Sequence, residues 1–146
     1  MRVLPTDRRL RLILHCDGAA RGNPGPAGVG IHITDEDGTT VAEIAEGIGE
    51  TTNNVAEYTA AIRGLERAQE LGAAEVHLRS DSKLLIEQLA GRWKIKNKNL
   101  IRLHREIRDL VEDFERVTYE HVPRERNVEA DRLANEGVDA WLAGRA

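Results

Sequence analysis

The hydrophobic period changes once along this chain, and that change limits the fold more than any other feature. Before about residue 53 the apolar residues run together or alternate, as in strands; after it, helical spacing interleaves with short strand-like runs. Leu10 to Asp17 is mostly continuous and apolar, as in a buried strand. Gly18 to Gly28 is rich in Gly, Pro and Asn and predicts a loop or tight turn. Val29 to Thr34 predicts a second strand, Asp35 to Thr39 a hairpin turn, and Val41 to Gly49 a third strand. Asn54 to Leu71 then predicts a long helix that stops at Gly72. Glu75 to Arg79 predicts a fourth strand and Ser82 to Ala90 a short helix. Leu100 to Phe114 predicts a helix with Leu103, Ile107, Leu110 and Phe114 on one face. Arg116 to Val122 predicts a fifth strand, and Val128 to Leu142 a last helix. The order βββαβααβα implies an α/β fold: one mixed sheet, its first three strands antiparallel, with helices on its faces. A parallel crossover through the long helix joins the third strand to the fourth.

The chain has 146 residues. That length suits one domain over 1–146, with a core from about residue 10 to residue 142. Hydrophobic residues make up 40% but aromatics only 3%, so the core must rest on Leu, Ile, Val and Ala. No stretch has the roughly 20 apolar residues of a membrane span. Met1 to Arg11 carries basic residues with no long apolar run after them, so no secretory signal is read there. Cys16 is the single cysteine and has no intramolecular partner. A cytoplasmic monomer without membrane contact is the resulting expectation. The net charge of −4 argues against attachment to nucleic acid by bulk charge. Arg92-Trp93-Lys94-Ile95-Lys96-Asn97-Lys98 is nevertheless a local basic patch.

Four acids stand at the ends of predicted elements. Asp17 closes the first strand, Glu57 lies in the first turn of the long helix, Asp81 closes the fourth strand, and Asp131 lies in the first turn of the last helix. Each has an ordinary structural explanation. Asn54 to Glu57 can be a capping box, Asp81 a helix cap, Asp131 a first-turn acid favoured by the helix dipole, and Asp17 a turn residue. If the first and fourth strands are neighbours, however, the four can converge. Clustered carboxylates repel and resist ionising. They are suited to Mg²⁺, which prefers hard oxygen ligands. Two such ions about 4 Å apart can activate a water and steady a leaving oxygen in phosphodiester attack.

The residues around these acids resemble the ribonuclease H type 1 family. Asp17-Gly18-Ala19-Ala20-Arg21-Gly22-Asn23-Pro24-Gly25-Pro26-Ala27-Gly28 is similar to its first signature, and Thr51-Thr52-Asn53-Asn54-Val55-Ala56-Glu57-Tyr58 to its second. Ser80-Asp81-Ser82 is similar to the third, and His121 to Asn135 to the last. Order and spacing agree from about Leu10 to Leu142. The resemblance implies a five-stranded mixed sheet and a metal-dependent endonuclease. Such an enzyme cuts RNA in RNA–DNA hybrids, leaving a 5′-phosphate and a 3′-hydroxyl. It implies Asp17, Glu57, Asp81 and Asp131 as ligands of two Mg²⁺ ions, for which Mn²⁺ can substitute. It also implies substrate contacts at Gly18, Asn23, Thr52, Asn54 and Ser82. Turn formation at Asn23 and capping at Thr52 and Asn54 are the simpler explanations.

Two departures from the family pattern matter. Many members carry a histidine in the loop before the last acid. Here Arg124 is favoured for that place over His121, which falls on a predicted strand. Longer members carry an extra helix and a basic protrusion after the position of Gly91. This sequence has only Arg92 to Lys98, where Trp93 can stack on sugar or base and Lys94 and Lys96 can meet phosphates. A Trp packed on the core beside solvated lysines explains that segment equally well. A nuclease of broader or junction specificity, a hybrid-binding module without turnover, and a domain taken from a longer polypeptide are the competing readings.

Overall fold

The computed structural model describes residues 10–145; Met1 to Arg9, most of the stretch read as lacking a secretory signal, lies outside them. Five strands form one sheet: β1 Arg11–Ala20, β2 Gly25–Thr34, β3 Thr40–Thr51, β4 Glu75–Ser80 and β5 Arg116–His121. The helices are α1 Asn53–Glu70, α2 Lys83–Leu89, α3 Lys98–Val111 and α4 Val128–Arg145, with a 3-10 turn at Arg124–Arg126. The order in space is β3-β2-β1-β4-β5. β1, β2 and β3 pair antiparallel, whereas β4 pairs parallel with both β1 and β5. The predicted order and mixed sheet are therefore observed. No helix stands between α2 and α3, as expected of a chain without the longer members' protrusion. None of the described helices is long and apolar enough to cross a membrane.

Local chemistry explains where the elements begin and end. The Asp35 carboxylate accepts from the N–H groups of Asp37 and Thr39, and Gly38 takes a positive φ, closing the β2–β3 hairpin. Thr52 caps α1, Ser82 caps α2 and Asn97 caps α3, each by accepting backbone N–H groups of the first turn. Gly72 follows α1 at φ +83°, where other residues would be strained. Between the sheet and α1, α2 and α3 lies the main core, with Leu12, Leu14, Ile31, Leu65, Leu78 and Ile107 fully or almost fully buried.

The predicted Gly18–Gly28 loop is a correction. β1 continues to Ala20 and β2 already begins at Gly25, so only residues 21–24 turn the chain. Most of these glycines serve close packing. A Cβ on Gly18 would strike the backbone of Ala56 and Glu57, and one on Gly28 would lie 2.6 Å from the Ala134 carbonyl. A Cβ on Gly30 would strike backbone atoms of Ala130 and Ala134. Gly137, on α4, meets the Glu46 backbone in the same way. This small-residue seam lets α4 lie directly on β2 and β3. Gly30→Ala should therefore lower stability by about 3 kcal/mol, since the added methyl has only backbone to displace. Urea unfolding measures this, and a loss within experimental error would show that the helix can shift at little cost.

Candidate active site

The parallel pairing of β1 with β4 carries Asp17 and Asp81 to the same end of two central strands. His15 is in register with Arg79, two residues before each acid. Asp17 lies within β1 rather than at its end, and is 5% exposed. Glu57 is also 5% exposed and sits one turn into α1, just beyond the first turn. It does not form the expected capping box. Thr52 is the cap, and Glu57 Oε1 instead accepts the Gly18 N–H across to β1 at 2.8 Å. Asp81 follows β4, and it is Ser82 that caps α2. One carboxylate oxygen each from Asp17, Glu57 and Asp81 lie within 4.8 Å of one another. Asp131, in the first turn of α4, is close enough to raise the Asp17 carboxyl and lines the same cleft of about 580 Å³. All four acids thus converge, three of them tightly.

Burial and mutual repulsion dominate the electrostatics. Asp17 is pushed up to about 8, first by desolvation and then by the Asp81 and Asp131 carboxyls, with the Arg124 guanidinium opposing. Glu57 is raised well above the usual range, again by desolvation and then by Asp17, with the Gly18 N–H opposing. Desolvation also raises Asp81, while Arg124 acts against it. A hard dication would relieve this repulsion and use these oxygens, so the donor set fits magnesium.

Of the two auxiliary candidates, both line the cleft. Arg124, on the 3-10 turn, places its guanidinium 3.7 Å from Asp131 Oδ1 and is largely exposed. His121, at the end of β5, has its Nε2 3.3 Å from the Asp81 carbonyl oxygen. Gly18 lines the cleft, but Asn23, Thr52, Asn54 and Ser82 do not. Thr52 and Ser82 hold helix starts, and Asn23 Oδ1 accepts the Asn53 N–H at 3.0 Å. Asn53, which sequence reasoning did not single out, lines the cleft instead of Asn54. Its neighbouring position in the second signature was the available signal. Asn127 was also missed: it is 1% exposed and donates to the Cys16 carbonyl just before Asp17. Trp93, Lys94 and Lys96 lie outside the cleft lining. Trp93 stands under the Lys83 ammonium, 5.9 Å from its ring centre, while Lys94 and Lys96 are exposed.

The raised Asp17 carboxyl has a consequence for stability. Its folded value lies above its unfolded one, so its contribution is full below about 4 and is lost as pH rises through about 8. In metal-free protein, Asp17→Asn should remove that loss and raise stability at pH 8 by on the order of 3 kcal/mol. The gain should vanish in acid and shrink when Mg²⁺ is added. Thermal melts across pH with and without Mg²⁺ test this, and a variant no more stable than wild type at high pH contradicts it.

Residues 15–137 match a family model described as reverse transcriptase-like. The chain is 48% identical over 132 residues to a bifunctional protein of Mycobacterium tuberculosis, covering 90% of this chain but 36% of that protein. It therefore spans about a third of the length of that relative. It is 44% identical over 137 residues to ribonuclease HI of Halobacterium salinarum, covering 94% of this chain and 69% of that one. The crystal structure of the Halobacterium salinarum ribonuclease H1 superposes with a TM-score of 0.87 at 45% identity, covering 89% and 98% of the two chains. A ribonuclease H1 isolated from compost, solved with an RNA/DNA hybrid, gives 0.86 at 45% identity, covering 90% and 99%. With its four signatures, sheet order and converging acids in place, this chain belongs to the ribonuclease H type 1 family.

Proposed function

We propose that this chain is a metal-dependent endonuclease that hydrolyses the RNA strand of RNA–DNA hybrids, leaving 5′-phosphate and 3′-hydroxyl ends. The observation that carries this reading is the set of three carboxylate oxygens within 4.8 Å, from Asp17, Glu57 and Asp81, in an open cleft shared with Asp131. Two Mg²⁺ ions, or Mn²⁺ in their place, would supply charge neutralisation and Lewis-acid activation of water and leaving oxygen. Asp17, Glu57, Asp81 and Asp131 would hold them. The Gly18 N–H fixes the Glu57 carboxylate, and Asn127 fixes the β1 backbone beside Asp17. Arg124 would neutralise phosphate charge. His121, which also lines the cleft, is the second choice for that auxiliary role.

Hybrid recognition would use the turn at Asn23, the α1 start at Thr52, Asn53 and Asn54, and the α2 start at Ser82. The 2′-hydroxyl of the RNA strand is the feature that such contacts can distinguish. Trp93, Lys94 and Lys96 would add stacking and phosphate contacts from a separate surface. The compost enzyme solved with an RNA/DNA hybrid supports the substrate class. A monomer acting in the cytoplasm is the simplest setting for this activity.

Asp81→Asn should lower hybrid cleavage by about 10³-fold or more while the protein stays folded. Labelled hybrid, single-stranded RNA, duplex RNA and duplex DNA, each with Mg²⁺ or Mn²⁺, provide the assay. Equal cutting of all four substrates would keep the nuclease and overturn the hybrid claim; no cutting by folded wild type would favour a binding role. Replacing Lys94 and Lys96 together by Ala should raise KM and reduce the slope of binding against salt by about 1 per lysine. An unchanged KM and slope would remove this segment from the substrate surface.

A further inference from the structure

The turn between β1 and β2, residues 21–24, is tied to both of the helices that bring acids to the cleft. Toward α1, Asn23 Oδ1 accepts the Asn53 N–H at 3.0 Å. Toward α4, the Arg21 guanidinium forks. Its Nη1 donates to Asp139 Oδ1 at 2.6 Å, and its Nη2 donates to the Asn135 carbonyl at 3.4 Å and to Asn135 Oδ1 at 3.3 Å. The turn that carries this fork is closed on itself. The Arg21 N–H donates to the Pro26 carbonyl at 2.8 Å, and a Cβ on Gly25 would lie 2.1 Å from the Arg21 carbonyl oxygen.

Asp131 is the acid that such a tether can affect. It stands outside the tight cluster of Asp17, Glu57 and Asp81, so its distance from them depends on where α4 stands. Gly28, Gly30 and Gly137 set how near α4 comes to the sheet. They have no side chains to interlock, so they constrain less where the helix stands along the strands. Arg21 supplies that constraint at the end near the acids. Asn135 Nδ2 donates to the Asp131 carbonyl at 3.0 Å, so the fork reaches the Asp131 backbone through one side chain. Arg21, Asn135 and Asp131 all line the cleft. A second tether joins Arg132 on α4 to Glu43 on β3 at 3.4 Å. The Arg21 and Asp139 side chains are 42% and 65% exposed, and pairs so exposed add little to stability. A planar fork does fix direction as well as distance.

We propose that Arg21 is a positioning residue: from the β1–β2 turn it holds α4, and with it Asp131, at the distance from the other three acids that metal binding needs. This inference rests on the metal-holding role proposed above for the four acids. Asp139 and Asn135 are its partners in that task, and none of the three is itself a ligand.

Calorimetric titration of Mn²⁺ into the full chain, without substrate, reads metal affinity apart from turnover. Arg21→Met and Asp139→Asn should each weaken that affinity by about 10-fold, as changes just beyond the ligands do. The double variant should be no weaker than either alone, because both substitutions break one linkage. Melting temperatures should stay within about 4 °C of wild type. With hybrid at subsaturating Mg²⁺, both variants should lower kcat and leave KM for the hybrid unchanged. Arg21→Lys, which keeps a cation opposite Asp139 without the fork, should fall between wild type and Arg21→Met. Wild-type Mn²⁺ affinity in Arg21→Met would overturn the proposal. A large drop in melting temperature would make the fork a folding contact and overturn it as well. A raised KM in Arg21→Met, with Asp139→Asn behaving as wild type, would make Arg21 a direct phosphate contact instead. A wild type that binds Mn²⁺ but cuts no hybrid would refute the nuclease reading, and the calorimetric comparison would still decide the role of Arg21.

Discussion

Like charges confined in a space with little water set the terms for this fold. Asp17, Glu57 and Asp81 bring their carboxylates within 4.8 Å, and burial raises the cost of ionising each. Such a cluster persists only where the backbone around it cannot move apart. β1 has that property, since it is paired on both edges, antiparallel to β2 and parallel to β4. Glu57 is tied to β1 by the Gly18 N–H, and that bond requires α1 to come so near that only glycine fits at position 18. Asp131 arrives on α4, whose approach relies on Gly28, Gly30 and Gly137. The glycines near the first acid are therefore part of how the acids are held together.

This also explains which parts of the structure were legible in the sequence. The period change near residue 53 predicts all five strands and four helices in their observed order, because burial of one face leaves a regular trace. The Asp35–Gly38 turn and the Gly72 stop depend on local chemistry and are equally readable. Gly18–Gly28 is misread as a loop because glycine has two uses, positive φ and close approach, and composition does not distinguish them. Only Gly22 in that stretch takes a positive φ. The capping box from Asn54 to Glu57 fails for a related reason. A local partner for Glu57 is available in sequence, but its carboxylate instead accepts the Gly18 N–H, 39 residues away. Convergence of the four acids becomes legible only through the family signatures, since spacing along a chain carries no distance in space.

Substrate choice must come from outside the acids, because carboxylates can serve any phosphodiester equally. The cleft offers one candidate in Asn53, which lines it and whose backbone N–H is held by Asn23 in the β1–β2 turn. The basic segment offers another, and it is better anchored than its exposure suggests. The Tyr58 hydroxyl donates to Gln88 Oε1 at 2.6 Å, and Gln88 Nε2 donates to the Lys94 carbonyl at 3.0 Å. Tyr58 is fully buried in α1, the helix that carries Glu57. The backbone bearing Lys94 is thus fixed to the helix that carries Glu57. A cation on a fixed backbone loses less entropy on meeting a phosphate than one on a free loop. On the proposed reading, a few positioned cations would orient a duplex that the molecule's net charge of −4 would not attract.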